Sequence, residues 1–206
     1  MIAIITRTSN RPKYFNRCKK SISFDGYKHY VLSDNQADLS YLNDVYVHSV
    51  NRNFLEKSYK DPAPSSARPP LKSIHNLYFN EIYDKISESW VYHLDDDNEL
   101  IPGSLSRVLK KINPKTELVI FKIDHFTGKL PRENDFKNKI IRVGGIDTGC
   151  FLVKTSLMKK VKWDGWKCGD FRIIDKLNKL TKNVEWINET VMKMPQQNLG
   201  NRKDAQ

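Results

Sequence analysis

Hydrophobic and polar positions fall into short blocks whose period alternates between that of a strand and that of a helix. Ile2–Thr6 is a β-branched run, closed by the polar stretch Arg7-Thr8-Ser9-Asn10-Arg11-Pro12 and followed by a segment that reads as helical to about Ile22. His29–Leu32 and Val45–Val50 are the next strand candidates, with turn-prone Ser33-Asp34-Asn35 after the first. Asp61–Pro70 holds four of the nine prolines (Pro62, Pro64, Pro69, Pro70), which rules out a regular element there. Leu71, Ile74, Leu77, Tyr78, Ile82 and Ile86 then recur at α-helical spacing, and Pro70 suits the first turn of that helix. Trp90–Leu94 is an apolar run that stops abruptly at Asp95-Asp96-Asp97-Asn98. A short helix is predicted over Pro102–Ile112 and a buried strand over Leu118–Ile123.

This alternation of strand and helix predicts an α/β fold: one domain with a mostly parallel central sheet and helices on both faces. Beyond residue 123 the pattern loosens. Ile140–Val143 and Cys150–Val153 read as strands flanking Gly144-Gly145-Ile146-Asp147-Thr148-Gly149. Asp170–Leu180 reads as a helix with Ile173, Ile174, Leu177 and Leu180 on its inner face. Pro195–Gln206 is a polar tail carrying Arg202 and Lys203. There is no repeat, heptad pattern or low-complexity tract.

Composition narrows the class. With 206 residues the chain fits one domain and buries roughly 70% of its unfolded surface, so no disulfide or metal staple is required. Hydrophobic residues at 39% and aromatics at 11% argue for a packed core. No apolar run approaches the roughly 20 residues of a membrane span, and no signal-peptide pattern opens the chain. Cys18, Cys150 and Cys168 are odd in number and lack Cys-x-x-Cys spacing, as expected of reduced thiols in a soluble, cytoplasmic protein. Thirty-five basic residues against 24 acidic ones leave a charge of +11, which favours an anionic partner: nucleic acid, acidic lipid, or a phosphorylated small molecule.

In an open parallel sheet, ligands collect at the carboxyl ends of the strands. There the chain places Arg7–Arg11, Ser33-Asp34, the proline-rich loop and Asp95–Asn98. If the backbone stays extended, Asp95 and Asp97 point one way and Asp96 the other, so the outer pair converges on one hard cation such as Mn²⁺ or Mg²⁺. The same run also suits a solvated acidic turn ahead of the helix near Pro102. An EF-hand is excluded by Leu100 at the position that requires glycine, and the five scattered histidines exclude a zinc cluster. His93 reads as a packed core residue. No Gly-x-Gly-x-x-Gly, Gly-Lys-Ser/Thr or Gly-x-Ser-x-Gly occurs, which argues against dinucleotide dehydrogenases, P-loop NTPases and α/β-hydrolases.

Ile4-Ile5-Thr6-Arg7-Thr8, Leu32-Ser33-Asp34, and Trp90–Asn98 followed by Pro102 resemble the opening of GT-A-fold glycosyltransferases, in particular small family-2-like members such as those of large viruses and phages (and so of the host cytoplasm). The likeness covers roughly residues 2–175, with Asp95-Asp96-Asp97 as its Asp-x-Asp signature. It implies a nucleotide-sugar half over 1–123, an acceptor and catalytic half over 124–194, and room for further domains in a longer chain. Thr6, Arg7 and Thr8 would line the nucleotide pocket, Asp34 would take the base (uracil by preference), and Asp95 and Asp96 would face the donor. Asp97, with Asp95, would hold Mn²⁺ or Mg²⁺. Lys72, at the start of the helix after the proline-rich loop, would neutralise phosphate. Asp147 would meet a sugar hydroxyl, Trp163 and Trp166 would form an acceptor platform, and Asp170 would act as general base.

The resemblance thus implies inverting transfer from a UDP-sugar to a glycan or other hydroxyl acceptor, with no specific nucleic-acid partner. Two alternatives use the same features. A nucleotidyltransferase also needs paired aspartates and a metal, and a basic nucleic-acid-binding module would account for the charge.

Overall fold

Ile2, Ala3, Ile4 and Ile5 are all essentially inaccessible, so their strand is covered on both faces and belongs in the interior of a sheet. It is β1 (Ile2–Thr8), followed by helix α1 (Pro12–Ser21), β2 (Tyr27–Ser33), β3 (Tyr46–Ser49) and α2 (Arg52–Ser58). β4 (Trp90–His93) leads through the acidic run to β5 (Glu99–Leu100), α3 (Ser104–Lys111), β6 (Leu118–His125), β7 (Gly128–Leu130) and α4 (Glu133–Lys137). The chain closes with β8 (Phe151–Lys154), α5 (Thr155–Met158), α6 (Gly169–Leu180) and β9 (Val184–Lys193). This computed structural model describes residues 1–67 and 69–195. Arg68 and 196–206, with Arg202 and Lys203, lie outside the described residues.

The nine strands form one sheet in the order β3-β2-β1-β4-β8-β6-β9-β5, with β7 added to β6. β1 to β4 pair in parallel, as do β6 and β9, while β8, β5 and β7 run antiparallel to their neighbours. The fold is therefore a single mixed α/β domain with a mostly parallel sheet. Central strands β4 and β8 are buried along nearly their whole length, and β6 over Leu118–Ile123. Edge strand β3 is half exposed. Among the described residues no helix is long and apolar enough to cross a membrane.

Three expectations from the pattern are corrected. The 71–86 segment is not an α-helix: it forms 3-10 turns over Ile74–Glu81 and Tyr83–Lys85. Residues 71–73 are instead held in an extended bridge, Ser73 N donating to Gly165 O (2.7 Å) and Lys167 N to Leu71 O (2.9 Å). Asn76, Leu77, Tyr78 and Phe79 are then buried in succession, which a one-sided α-helix does not allow. Ile140–Val143 is a loop, pinned where Arg142 pairs with Asp135 at 2.8 Å. Leu180, assigned to the inner face of α6, is exposed at its last position. β9 carries no clean alternation because its pairing with β6 is broken by register shifts near Lys122.

His93 is a core residue, as its apolar surroundings suggest. Trp163 Nε1 donates to the Tyr83 hydroxyl at 2.6 Å, leaving the hydroxyl hydrogen for His93 Nε2 at 2.9 Å. Burial lowers the pKa of His93 to about 3, so it stays neutral.

Phe151→Ala, in the fully buried middle of the sheet, should lower the unfolding free energy by about 3–5 kcal/mol. Leu180→Ala should change it by less than about 0.5 kcal/mol. Urea unfolding of the two variants checks both values.

Candidate active site

The parallel pairing of β1 with β4 fixes Ile5 beside His93. Carried two and three residues past that pair, the register sets Arg7 against Asp95 and Thr8 against Asp96, and both pairs are bonded. Arg7 grips both oxygens of Asp95, from Nε at 2.9 Å and Nη2 at 2.8 Å, while its Nη1 donates to Asn76 Oδ1 at 3.0 Å. Its guanidinium lies 4.4 Å from the centre of the Phe79 ring. Thr8 Oγ1 donates to Asp96 Oδ2 at 2.8 Å.

Arg11 completes the neutralisation, with Nη1 on Asp96 Oδ1 at 2.7 Å and Nη2 on Asp97 Oδ2 at 2.9 Å. The backbone here is a turn, closed by Asn98 N donating to Asp95 O at 3.0 Å. The extended alternation expected for the run therefore fails: Asp96 and Asp97 share Arg11, and Asp95 faces Arg7. Asp96 is wholly buried, and that burial raises its carboxyl to about 8 against the pull of Arg11 and Thr8.

Asp34 sits just beyond β2. Its Oδ2 accepts from the Tyr78 hydroxyl at 2.7 Å and lies 3.7 Å from Arg52 Nη1. Its Oδ1 is buried and has no hydrogen-bond partner. A carboxylate oxygen in that state is costly unless something donates to it.

The opposite wall comes from the loop after α4 and the start of α6. Asp147 caps a short 3-10 turn over Thr148–Cys150 by accepting from Gly149 N at 3.0 Å. Burial, then the charge of Asp170, raises its carboxyl to about 7. Asp170 opens α6, accepts from Phe171 N at 2.8 Å and is also raised, mainly by burial. Arg7 and Asp95 both act on Asp147, and Arg7 acts on Asp170, so the two walls share one electrostatic environment. Gly169 keeps them close: a Cβ there would lie 2.6 Å from Asn76 Nδ2, the amide that also binds Trp166 O at 3.1 Å.

Other predicted positions fall elsewhere. Thr6 is buried and bonds His29 at 2.8 Å within the sheet, so it lines no pocket. Lys72 is exposed on the extended bridge to Trp166 rather than at a helix start, and gains nothing from a helix dipole. Trp163 is packed against Phe79 and His93 and presents no face to an acceptor. Trp166 is half-buried near Tyr59, with Nε1 donating to Asp61 O at 3.2 Å. Arg11, Asn76 and Tyr78 were not singled out from the sequence. Only the Arg11-Pro12 position, at the loop end before a helix, hinted at any of them.

The fold matches solved structures. S. aureus TarS 1-349 aligns over 93% of this chain and 59% of its own at 14% identity, with a TM-score of 0.66. The same protein in complex with UDP gives 13% identity and a TM-score of 0.67 over the same shares. Glucosyl-3-phosphoglycerate synthase from Mycobacterium tuberculosis, in complex with Mn²⁺, UDP and phosphoglyceric acid, gives 16% and 0.57 over 95% of this chain and 70% of its own. No family model matches the sequence, and no curated protein matches it. The chain has a GT-A glycosyltransferase fold. It spans less than two thirds of the TarS chains, and both sources are cellular organisms, so the likeness to viral members draws nothing from them.

Asp96 and Asp147 each hold a proton in the folded state at pH values where the unfolded chain, near 3.9, has lost it. Stability should therefore be greatest on the acid side and fall as pH rises from about 4 to 8, by up to about 1.4 kcal/mol per unit for each proton. Asp147→Asn should flatten this slope below pH 7, read from urea unfolding across that range.

Proposed function

We propose that the protein transfers a sugar from a nucleoside-diphosphate sugar, by preference a UDP-sugar, to a hydroxyl acceptor. The observation that carries this reading is the orphaned Asp34 Oδ1 at the end of β2, across β1 from the acid run at the end of β4. A buried carboxylate oxygen lacking a donor, in a GT-A fold, suits the N3–H of uracil. The donor's diphosphate then lies towards Arg7 and Arg11, the two guanidinium groups at the carboxyl end of β1. Two of the matched structures are complexes with UDP, which supports a donor of the UDP class.

A divalent cation fits the acid run. Mg²⁺ and Mn²⁺ are commonly held by one or two carboxylates together with water and substrate phosphates rather than by a protein cage. That mode agrees with the absence, among the described residues, of any cluster of three or more His, Cys, Asp or Glu able to hold a metal. Asp97 would hold the cation, and Asp95 would join once Arg7 releases it. When bound, the cation supplies Lewis-acid stabilisation of the departing diphosphate.

The remaining work falls to the chain's own residues. Asp170 takes the proton from the acceptor hydroxyl, and burial suits it to that task by raising its affinity for a proton. Asp147 orients a hydroxyl of the transferred sugar. Trp166 is the remaining aromatic candidate for an acceptor ring. A proton received by Asp170, with the sugar attacked from the face opposite the diphosphate, gives an inverted product.

UDP with Mn²⁺ at a hundredfold over its dissociation constant should stabilise the protein by about 2.7 kcal/mol. Asp97→Ala should lose that stabilisation, as followed by thermal denaturation. Asp170→Asn should keep it while transfer falls by about 10²- to 10⁴-fold, measured as sugar released from UDP-glucose onto acceptor.

A further inference from the structure

Asp34 meets the protein through one oxygen only. Its Oδ2 accepts from the Tyr78 hydroxyl at 2.7 Å and lies 3.7 Å from Arg52 Nη1, whereas Oδ1 is buried with no partner. Tyr78 is itself buried, within the 3-10 turn over Ile74–Glu81. Burial, and then its bond to Asp34, raises the pKa of the Tyr78 hydroxyl, so it keeps its hydrogen and acts as the donor.

The carboxylate is also held in place from behind. Val50 N donates to Ser33 O at 2.7 Å, Asn35 N to Ser33 Oγ at 3.1 Å, and Ser33 Oγ to Asp38 Oδ2 at 2.5 Å, so the backbone on both sides of Asp34 is pinned. Arg52 is half exposed and, at 3.7 Å, beyond hydrogen-bond reach. Tyr78 is therefore the group that takes up Oδ2 and leaves Oδ1 to a ligand.

The pairing edges of uracil and guanine meet such an acceptor differently. Uracil offers one donor, N3–H, between two carbonyl oxygens. Guanine offers two adjacent donors, N1–H and its 2-amino group, which suit both oxygens of one free carboxylate. A single free oxygen satisfies uracil and leaves the second donor of guanine without that partner, a mismatch that a buried polar site penalises.

We infer that Tyr78 is the specificity-determining residue that sets uracil over guanine in the donor, by occupying Asp34 Oδ2 and leaving Oδ1 as a single acceptor. The inference rests on the nucleotide-sugar reading, with the base at Asp34.

Calorimetric titration of the whole protein with UDP and with GDP, each in the presence of Mn²⁺, tests it, because the two ligands differ only in the base. Wild type should bind UDP at least about tenfold more tightly than GDP. Tyr78→Phe keeps the ring and removes the donor, so UDP should weaken, GDP should tighten, and the ratio should narrow at least about tenfold. Asp34→Asn is the second variant, and it decides the matter if Tyr78→Phe does not fold. With Tyr78 donating to the amide oxygen of the new side chain, its NH₂ group meets the base, so UDP should weaken at least about tenfold relative to CDP, whose cytosine N3 is an acceptor.

Parallel weakening of UDP and GDP by Tyr78→Phe, with their ratio unchanged, would show a merely structural role and overturn the inference while the donor reading stands. An unchanged preference between UDP and CDP in Asp34→Asn would do the same, as would equal binding of UDP and GDP by wild type. Binding of neither nucleotide to wild type would overturn the donor reading, and the inference with it.

Discussion

An acid run at the end of a buried strand persists only if its charge is neutralised, and here Arg7 from β1 and Arg11 from the turn into α1 answer Asp95 and Asp97 while burial keeps a proton on Asp96 up to about pH 8. Burying an unpaired carboxylate costs several kcal/mol, more than a typical domain can spare. Arg7, Thr8 and Arg11 offset that cost through bonds of 2.7 to 2.9 Å. That pairing depends on the β1–β4 register, since a slip of one residue would turn every side chain of β1 to the other face and leave the acids unpaired. The same register brings Phe79 and Asn76 against Arg7, and Asn76 in turn fixes the loop that carries Asp170. Sheet pairing and site geometry are one constraint.

That constraint also shapes how the site meets a charged ligand. A donor diphosphate brings two or more negative charges, and a divalent cation brings two positive ones. Either alone unbalances the Arg7–Asp95 and Arg11–Asp97 pairs, whereas together they leave the local charge nearly unchanged. On the proposed reading cation and nucleotide are coupled, and each would raise the affinity of the other by the same factor. Part of the excess basic charge lies apart from this balanced core, in Lys13, Lys20 and Lys193 around a concave surface between α1 and the segment after Asp97.

Much of this was legible in the chain itself. Ile2–Ile5, Trp90–Leu94 and Leu118–Ile123 are apolar and β-rich enough to announce central strands, and an acid run at the end of one of them announces a site. Asp34 falls among the loops at the carboxyl ends of the strands, whereas Asp170 is reached only through the resemblance to GT-A glycosyltransferases. What stayed hidden depends on distant contacts. Asp96 and Asp97 share a partner because of a turn that alternation does not foresee. Residues 71–73 pair with 165–167 across the molecule, displacing the helix predicted there and leaving Lys72 on a bridge. Trp163 looked like an exposed platform, yet its indole is drawn inward by Tyr83. β9 lacks a clean period because bulges re-aim its side chains.

On the proposed reading one nucleoside diphosphate spans Asp34 and the acid run, with the cation on Asp97. Crystals grown with UDP and Mn²⁺, with data collected at the manganese absorption edge, test it most directly. The account expects an anomalous peak about 2.0–2.3 Å from an Asp97 carboxylate oxygen, phosphate oxygens in the same coordination sphere, and the uracil N3 within hydrogen-bond reach of Asp34 Oδ1. A peak away from residues 95–97, or a diphosphate bound with its base elsewhere than Asp34, would contradict it.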